Sequence, residues 1–402
     1  VNKILRLDFE TRGTAELSGK NSVGLYNYAN HPETKVLMLA WKFDTKEPLL
    51  WQPHLLDTMP PTLYKALQDP EVTVSAFNSA FERYILQYKL GVIIPASRFL
   101  DPQVGARYLS MPANLESVCE ILDLPPNLQK DKRGAALIDL FSEPKTRKKK
   151  EGGGIYFNDW NSHPKEWEEF CNYCVRDVVA EEEVARRMGI LGALPLPPFE
   201  QKLWIFDQTV NDRGMPTDRV FVEKMYRLAL RSKAEAKENF EKLTGVENAN
   251  SPAQIKTWAK TQGYPYPSLS KDVVASALKD PNLKLTDLCR KALEMRKEAA
   301  STSYQKLRKI LLCISPDGRL PGQFVFMGSS RCGRWSGNNV QIHNFARPAV
   351  VGGHDFEDMK VVKEARAMIQ AEDYEGIKAT YGSVLLVVKS LIRTVFVAPR
   401  EA

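Results

Sequence analysis

Five side chains in this sequence have the types and local spacings that chemistry on a charged substrate would use. Asp8 and Glu10 stand two apart in the run KILRLDFET at residues 3–11. On a strand of period two they leave the same face as Ile4 and Arg6, while Leu5, Leu7 and Phe9 leave the other. Two carboxylates side by side repel, and a divalent cation relieves the repulsion, so the pair invites a hard metal ion. A strand end reaching solvent would carry the same two residues. Glu82 opens a helical stretch after Asn78, and Tyr173 and Asp177, four apart, point the same way from a later helix. Each acid alone also fits a solvated carboxylate; their order and spacing together are more specific. Cys171 and Cys174 form a C-x-x-C, but no second Cys or His pair lies at ligand spacing, so a metal-thiolate site is not expected.

The elements that must position these residues belong to a chain too long for one ordinary domain: 402 residues predict two or three. An apolar content of 43% suffices for their cores, and a net charge of +7 is compatible with a polyanionic partner without requiring one. Six scattered cysteines read as reduced thiols of a cytoplasmic protein. No signal peptide is expected, and the apolar run at 384–399 is interrupted by Lys389 and Arg393, which argues against a membrane span.

From residue 1 to about 190, strand patterns (36–43, 72–77) mix with helical ones, among them AFERYILQYKLG with Phe81, Ile85 and Tyr88 on one side, and a helix at 115–122. Strands followed by helices predict an α/β sheet. The basic, glycine-rich stretch KTRKKKEGGG at 145–154 reads as a mobile connector or as a patch touching a phosphate backbone. Residues 165–189 form a strong helix packed through Trp167, Phe170, Cys174, Val178 and Val184, which Gly189 can stop. The proline-rich stretch 191–199 is the expected domain boundary.

Beyond it the pattern is mainly helical: 201–213, then 218–243 capped by Asp218, a short helix from 251, and a long one from 288 towards 314. Long helices with many lysines suggest a projecting antiparallel arm. A strand at 320–327 precedes SSRCGRWSGNNVQIHN at 329–344, whose guanidinium and amide groups suit sugar, phosphate and minor-groove contacts, as they also suit a solvated polar loop.

The acidic stations resemble the three exonuclease motifs of the proofreading domain in DNA polymerase I-like (family A) enzymes, phage and prophage polymerases above all: D-x-E-T at 8–11, N-x-x-x-acid at 78–82 and Y-x-x-x-D at 173–177. The resemblance implies a ribonuclease H-like 3′–5′ exonuclease domain at 1–190, a linker at 191–199, and a thumb and early polymerase domain at 200–350. It also implies two Mg2+ or Mn2+ ions. Asp8 would bridge both, Glu10 and Asp177 would complete the site that activates water, and Glu82 would serve the second ion. Tyr173 would orient the attacking water, and Thr11 and Asn78 would hold the terminal nucleotide. The donor set suits the chemistry, since hydrolysing a phosphodiester between two hard ions calls for oxygen ligands. The middle motif usually ends in Asp, so Glu82 extends its carboxylate one methylene further. Asp101 lies outside the motif and is expected to be structural.

The stretch CGRWSGNNVQIHN is similar to the T-G-R-x-S-S…P-N-L-Q-N signature of the same family, which implies primer-template contacts for Arg331, Arg334, Ser336, Asn339 and Gln341. By the same resemblance, 351–402 would lead into a palm whose catalytic aspartates have no counterpart here, since no Asp follows Asp373. The expectation is an enzyme that digests single-stranded 3′ DNA ends, grips primer-template duplex, uses no membrane, and does not extend DNA. An RNA-trimming exonuclease of the same fold and a DNA-binding module weakened by Glu82 are the alternatives.

Overall fold

The alternation at 3–11 becomes β1 (Ile4–Arg12). Leu5, Leu7 and Phe9 are buried together with Ile85, Leu86 and Trp204, while Arg6, Asp8 and Glu10 leave the opposite face. The computed structural model describes residues 3–43, 46–128, 133–148, 150, 152–248, 251–280, 282–299 and 304–398. It divides into two compact units, Val1–Met215 with Leu312–His343, and Pro216–Leu311 with Asn344–Ala402.

In the first unit β1 is followed by α1 (Leu25–Asn30), β2 (Lys35–Phe43), β3 (Leu49–Trp51), α2 (Pro61–Gln68), β4 (Thr73–Ser75), α3 (Ala80–Leu90) and β5 (Phe99–Leu100). Next come α4 (Pro102–Tyr108), α5 (Leu115–Ile121), α6 (Gly134–Ser142), the strands β6 (Lys145–Thr146) and β7 (Ile155–Tyr156), α7 (Pro164–Ile190) and α8 (Pro198–Arg213). The main sheet has the order β3-β2-β1-β4-β5: β1, β2 and β3 are antiparallel, whereas β4 runs parallel to both β1 and β5. β1 is therefore central and hydrogen-bonded on both sides, a rigid base for side chains that must hold a geometry. Asp8 sits opposite Ala40 and Glu10 opposite Met38, and the register shifts between Glu10 and Thr11.

Helix α7 covers the Asp8 face. The stripe expected for it is buried: Trp167, Phe170, Cys174 and Val178 pack with Leu37, Met38 and Ala40 of β2, and Val184 lies in a neighbouring cluster with Ala106 and Val118. Pro164 starts it at a position where its missing N–H leaves no bond unmade. The mixed sheet between helices is the expected α/β architecture.

Three sequence expectations meet a different local structure. The basic stretch at 145–154 is not a plain loop: β6 and β7 pair as a short hairpin across Gly152, Gly153 and Gly154, all at positive φ, while residues 149 and 151 lie outside the described set. The strand expected at 320–327 is interrupted, because Pro321 cannot donate to a ladder and Gly322 adopts φ 64°: Leu320 ends one two-residue strand, and Phe324–Val325 forms another, paired with Ser336–Gly337. The compact units divide at 215/216 and not in the proline-rich stretch. Helix α8 stays with the first unit because its buried stripe, Trp204, Asp207, Gln208 and Asn211, is mostly polar and hydrogen-bonds within that unit.

The second unit is helical. Asp218 caps α9 (Arg219–Thr244) by accepting from Phe221 N at 2.9 Å, and Gly245 at φ 68° ends it. α10 (Pro252–Thr261), α11 (Lys271–Lys279) and α12 (Asp287–Ala299) enclose a core of their own with Phe240, Ile255, Tyr264, Cys289 and Leu293. The long helix expected from 288 towards 314 is described as α12 and α13 (Tyr304–Cys313), with 300–303 outside the described residues. α14 (Met359–Gln370), α15 (Tyr374–Tyr381) and α16 (Val384–Leu391) follow. Among the described residues no helix is long and apolar enough to cross a membrane.

Candidate active site

Asp8 and Glu10 reach the site from β1, each half-buried. Behind Asp8 stands Cys174 of α7, fully buried, whose thiol donates to the Asp8 backbone oxygen and to Oδ2, both at 3.6 Å. Burial and the carboxylates of Asp8 and Glu10 push that thiol well above its ordinary range, so it remains a donor. Cys171, the other half of the C-x-x-C, turns away to Gln52 Oε1 at 3.4 Å, so the two thiols do not form a joint site.

Glu82 arrives from the first turn of α3. The turn before it is unusual: Asn78 has φ 72°, a left-handed conformation that Asn tolerates. Asp101 holds this turn in place. Its two oxygens accept from Asn78 N at 3.0 Å, Ser79 N at 2.9 Å, Ser79 Oγ at 2.9 Å and Gln103 N at 2.9 Å. Those bonds saturate the carboxylate, and its role is structural, as expected. Glu82 is only 3% exposed, and its Oε2 has no hydrogen-bond partner. Burial first, and the charge of Asp8 second, push its carboxyl well above the usual range.

Tyr173 and Asp177 share the inward face of α7. The Tyr173 ring lies under Gly134, the first residue of α6, where an added Cβ would stand 2.4 Å from Tyr173 Cε2. Its hydroxyl donates to Asp177, and burial together with Asp177, Glu10 and Asp8 pushes its pKa up, so it stays protonated. The fields acting on Glu82, Tyr173 and Cys174 thus come from one neighbourhood that gathers Asp8, Glu10, Glu82, Tyr173 and Asp177. One turn beyond Asp177, Ser75 Oγ receives a hydrogen bond from Arg6 Nη1 at 3.1 Å and donates to the buried Glu181 at 2.8 Å. Glu182 pairs with Lys42, so polar bonds tie α7 to three strands of the sheet.

The gathered donors are carboxylates, hard oxygen ligands that fit Mg2+ or Mn2+, and the unpartnered Glu82 Oε2 is a buried acceptor that a cation would satisfy. Among the described residues, no three His, Cys, Asp or Glu side chains already stand as a closed metal-binding group.

Thr11 is buried, with its hydroxyl hydrogen-bonded to Tyr28 OH at 2.8 Å, while Asn78 is exposed. In the loop at 329–344, Arg331, Arg334 and Gln341 are exposed. Arg334 Nε donates to Cys332 Sγ at 3.1 Å. Ser336 belongs to the short strand opposite Val325, and Asn339, at φ 48°, donates through Nδ2 to Gly322 O at 3.1 Å. Trp335, which sequence reasoning passed over, anchors this loop: its Nε1 donates to the buried Asp207 at 2.7 Å, and its ring meets Phe326 edge-on at 5.4 Å. Cys174, Gly134 and Asp207 were also missed. Only Asp207 left a signal, the polar residues at helical spacing on a stripe led by Trp204.

No family model matches the chain. Over 401 residues, 98% of its length, it is 32% identical to the DNA polymerase of Bacillus phage SP02, of which it spans 58%. Among solved structures it overlaps the POL domain of Pol1 from M. smegmatis in complex with DNA primer-template and dNTP. That match covers 86% of this chain and 52% of the other, with 12% identity and a TM-score of 0.47, too loose a likeness to bear on function.

Proposed function

We propose that this chain, DNA polymerase I-like in sequence, hydrolyses DNA from its 3′ end on a ribonuclease H-like domain and holds primer-template duplex through the loop at 329–344. The reading is carried by one observation: Asp8, Glu10, Glu82, Tyr173 and Asp177 converge from β1, α3 and α7, with Glu82 Oε2 left unpartnered. Asp8, Glu10 and Asp177 would hold one divalent ion, and Asp8 and Glu82 the other. When bound, two Mg2+ or Mn2+ ions would neutralise the phosphate, activate water and stabilise the departing 3′ oxygen.

The protein's own groups do the positioning. Tyr173 keeps its proton, so it acts as a hydrogen-bond donor that orients water and not as a base. Cys174 holds Asp8 from behind through its backbone oxygen and Oδ2. Asn78, exposed on the turn that Asp101 fixes, would meet the terminal nucleotide. Thr11, buried beside the register shift of β1 with its hydroxyl bonded to Tyr28, would help to hold the terminal nucleotide. Exposed Arg331, Arg334 and Gln341 would meet the duplex backbone, while Ser336 and Asn339 shape the loop that presents them.

The test uses one DNA strand labelled at either end, with Mg2+. The reading predicts immediate release of a 3′ label as mononucleotide, while a 5′ label persists on a shortening ladder, and chelation of the metal stops both. Earlier loss of the 5′ label would overturn it. Faster digestion of RNA than of DNA ends would replace it with the RNA-trimming alternative.

A further inference from the structure

We infer that Arg83, Gln208 and Asp212 form a brace that positions Glu82, so that the candidate nuclease site is held from helix α8, beyond the proline-rich stretch. The inference rests on the reading of Glu82 as a metal ligand.

Glu82 and Arg83 are consecutive in the first turn of α3, and both are buried. A buried carboxylate beside a buried guanidinium would be expected to pair with it, yet Glu82 Oε2 has no partner. Successive residues on a helix point in different directions, and Arg83 is directed to α8. It grips Asp212 with both nitrogens, Nη1 to Oδ2 at 2.7 Å and Nη2 to Oδ1 at 2.8 Å, and Nη2 also reaches Gln208 Oε1 at 3.0 Å. Tyr84, the next residue, donates its hydroxyl to the same Asp212 oxygen at 2.5 Å.

Two consecutive residues after Glu82 are therefore fixed by one carboxylate of α8, while Asp101 fixes the turn before it. The helix turn carrying Glu82 is clamped on both sides. Bidentate geometry specifies direction as well as distance, and an ion pair whose Asp212 side chain is 38% exposed is a poor source of net stability. Its effect here is to hold the turn that carries Glu82 in place and to engage the adjacent Arg83 guanidinium, while Glu82 Oε2 stays unpartnered. Glu82 also has the longer side chain where the family usually has Asp, so the backbone that aims it has more to control. Through Asp207, whose Oδ2 accepts from Gln208 Nε2 at 3.1 Å and whose Oδ1 accepts from Trp335, the same helix also anchors the arginine-bearing loop.

The experiment compares the full chain with Arg83→Lys, which keeps the charge but loses the fork, and with Arg83→Met/Tyr84→Phe/Asp212→Leu, which removes the partners together and strands no buried charge. Two quantities are read: Mn2+ affinity of the DNA-free protein by calorimetry, and the Mg2+ concentration for half-maximal digestion of single-stranded DNA. The brace predicts Mn2+ binding weaker by about 10-fold, the scale of a lost support behind a metal ligand, with a matching rise in the Mg2+ requirement and an unchanged KM for DNA. Variants that fold but keep wild-type Mn2+ affinity and Mg2+ requirement, whatever their melting temperature, would show that the contacts only glue two helices, and would overturn the inference. If the wild-type chain binds Mn2+ without digesting DNA and the variants lose that binding, the brace stands and the exonuclease reading falls.

Discussion

Glu181→Gln should make the protein more stable above neutral pH and leave its stability near pH 4 unchanged. Glu181 lies on α7 one turn past Asp177, 2% exposed, and accepts from Ser75 Oγ at 2.8 Å. Burial pushes its carboxyl up to about 7 from an ordinary 4.5, against the opposing pull of Arg6 and Ser75. The folded chain therefore keeps a proton that the unfolded chain releases between those values. The stability associated with this group is fully present below pH 4.5 and is lost as pH rises through about 7. At roughly 1.4 kcal/mol per pH unit, holding the ionised group in the folded protein costs about 3 kcal/mol at pH 8. An amide has the same shape, still accepts from Ser75 and never ionises, so the variant escapes that cost. The assay is thermal unfolding of both proteins from pH 4 to pH 8. In a unit of this size each kcal/mol moves the midpoint by roughly 2–4 °C. The two midpoints should separate progressively above pH 5, the variant being the higher. Parallel profiles would refute the assignment of a buried, ionising Glu181.

Gly134→Ala tests the placement of Tyr173: the helix gains up to about 1 kcal/mol in propensity, but a Cβ 2.4 Å from the Tyr173 ring costs about 1–3 kcal/mol in overpacking or displaces the ring. Slower DNA digestion with unchanged DNA affinity is expected, and wild-type rates would mean that Tyr173 does not contribute from this position. Arg334→Ala should weaken primer-template binding and lower the slope of log affinity against log salt by about one, as for a lost phosphate contact. An unchanged slope in salt-dependent binding measurements would remove Arg334 from the interface.

Much of the site was legible because its residues follow local periods. The two-residue alternation of β1 placed Asp8 and Glu10 on one face, and helical spacing placed Tyr173 beside Asp177. The burial of Trp167, Phe170, Cys174, Val178 and Val184 followed from the same helical period. What remained hidden depends on contacts between distant segments. Nothing local marks Gly134 as the residue against which the Tyr173 ring packs, nor Cys174 as the donor behind Asp8. In sequence, helix α8 reads as the start of the next domain because a proline-rich stretch precedes it. Its polar residues Asp207, Gln208 and Asn211 are nonetheless turned inward, and Gln208 meets the buried Arg83 there. The strand expected at 320–327 shows the reverse case, in which the local signals at Pro321 and Gly322 outweigh an apolar pattern.

The measurement that tests the central claim most directly is digestion of a 5′-labelled single strand with Mg2+ by the wild-type chain and by Asp8→Ala, at protein concentrations where both bind the DNA equally. The account predicts a ladder shortening from the 3′ end with the wild type, and intact DNA, still bound, with Asp8→Ala. A wild-type chain that binds the strand without shortening it, or an Asp8→Ala chain that shortens it at the wild-type rate, would contradict the account.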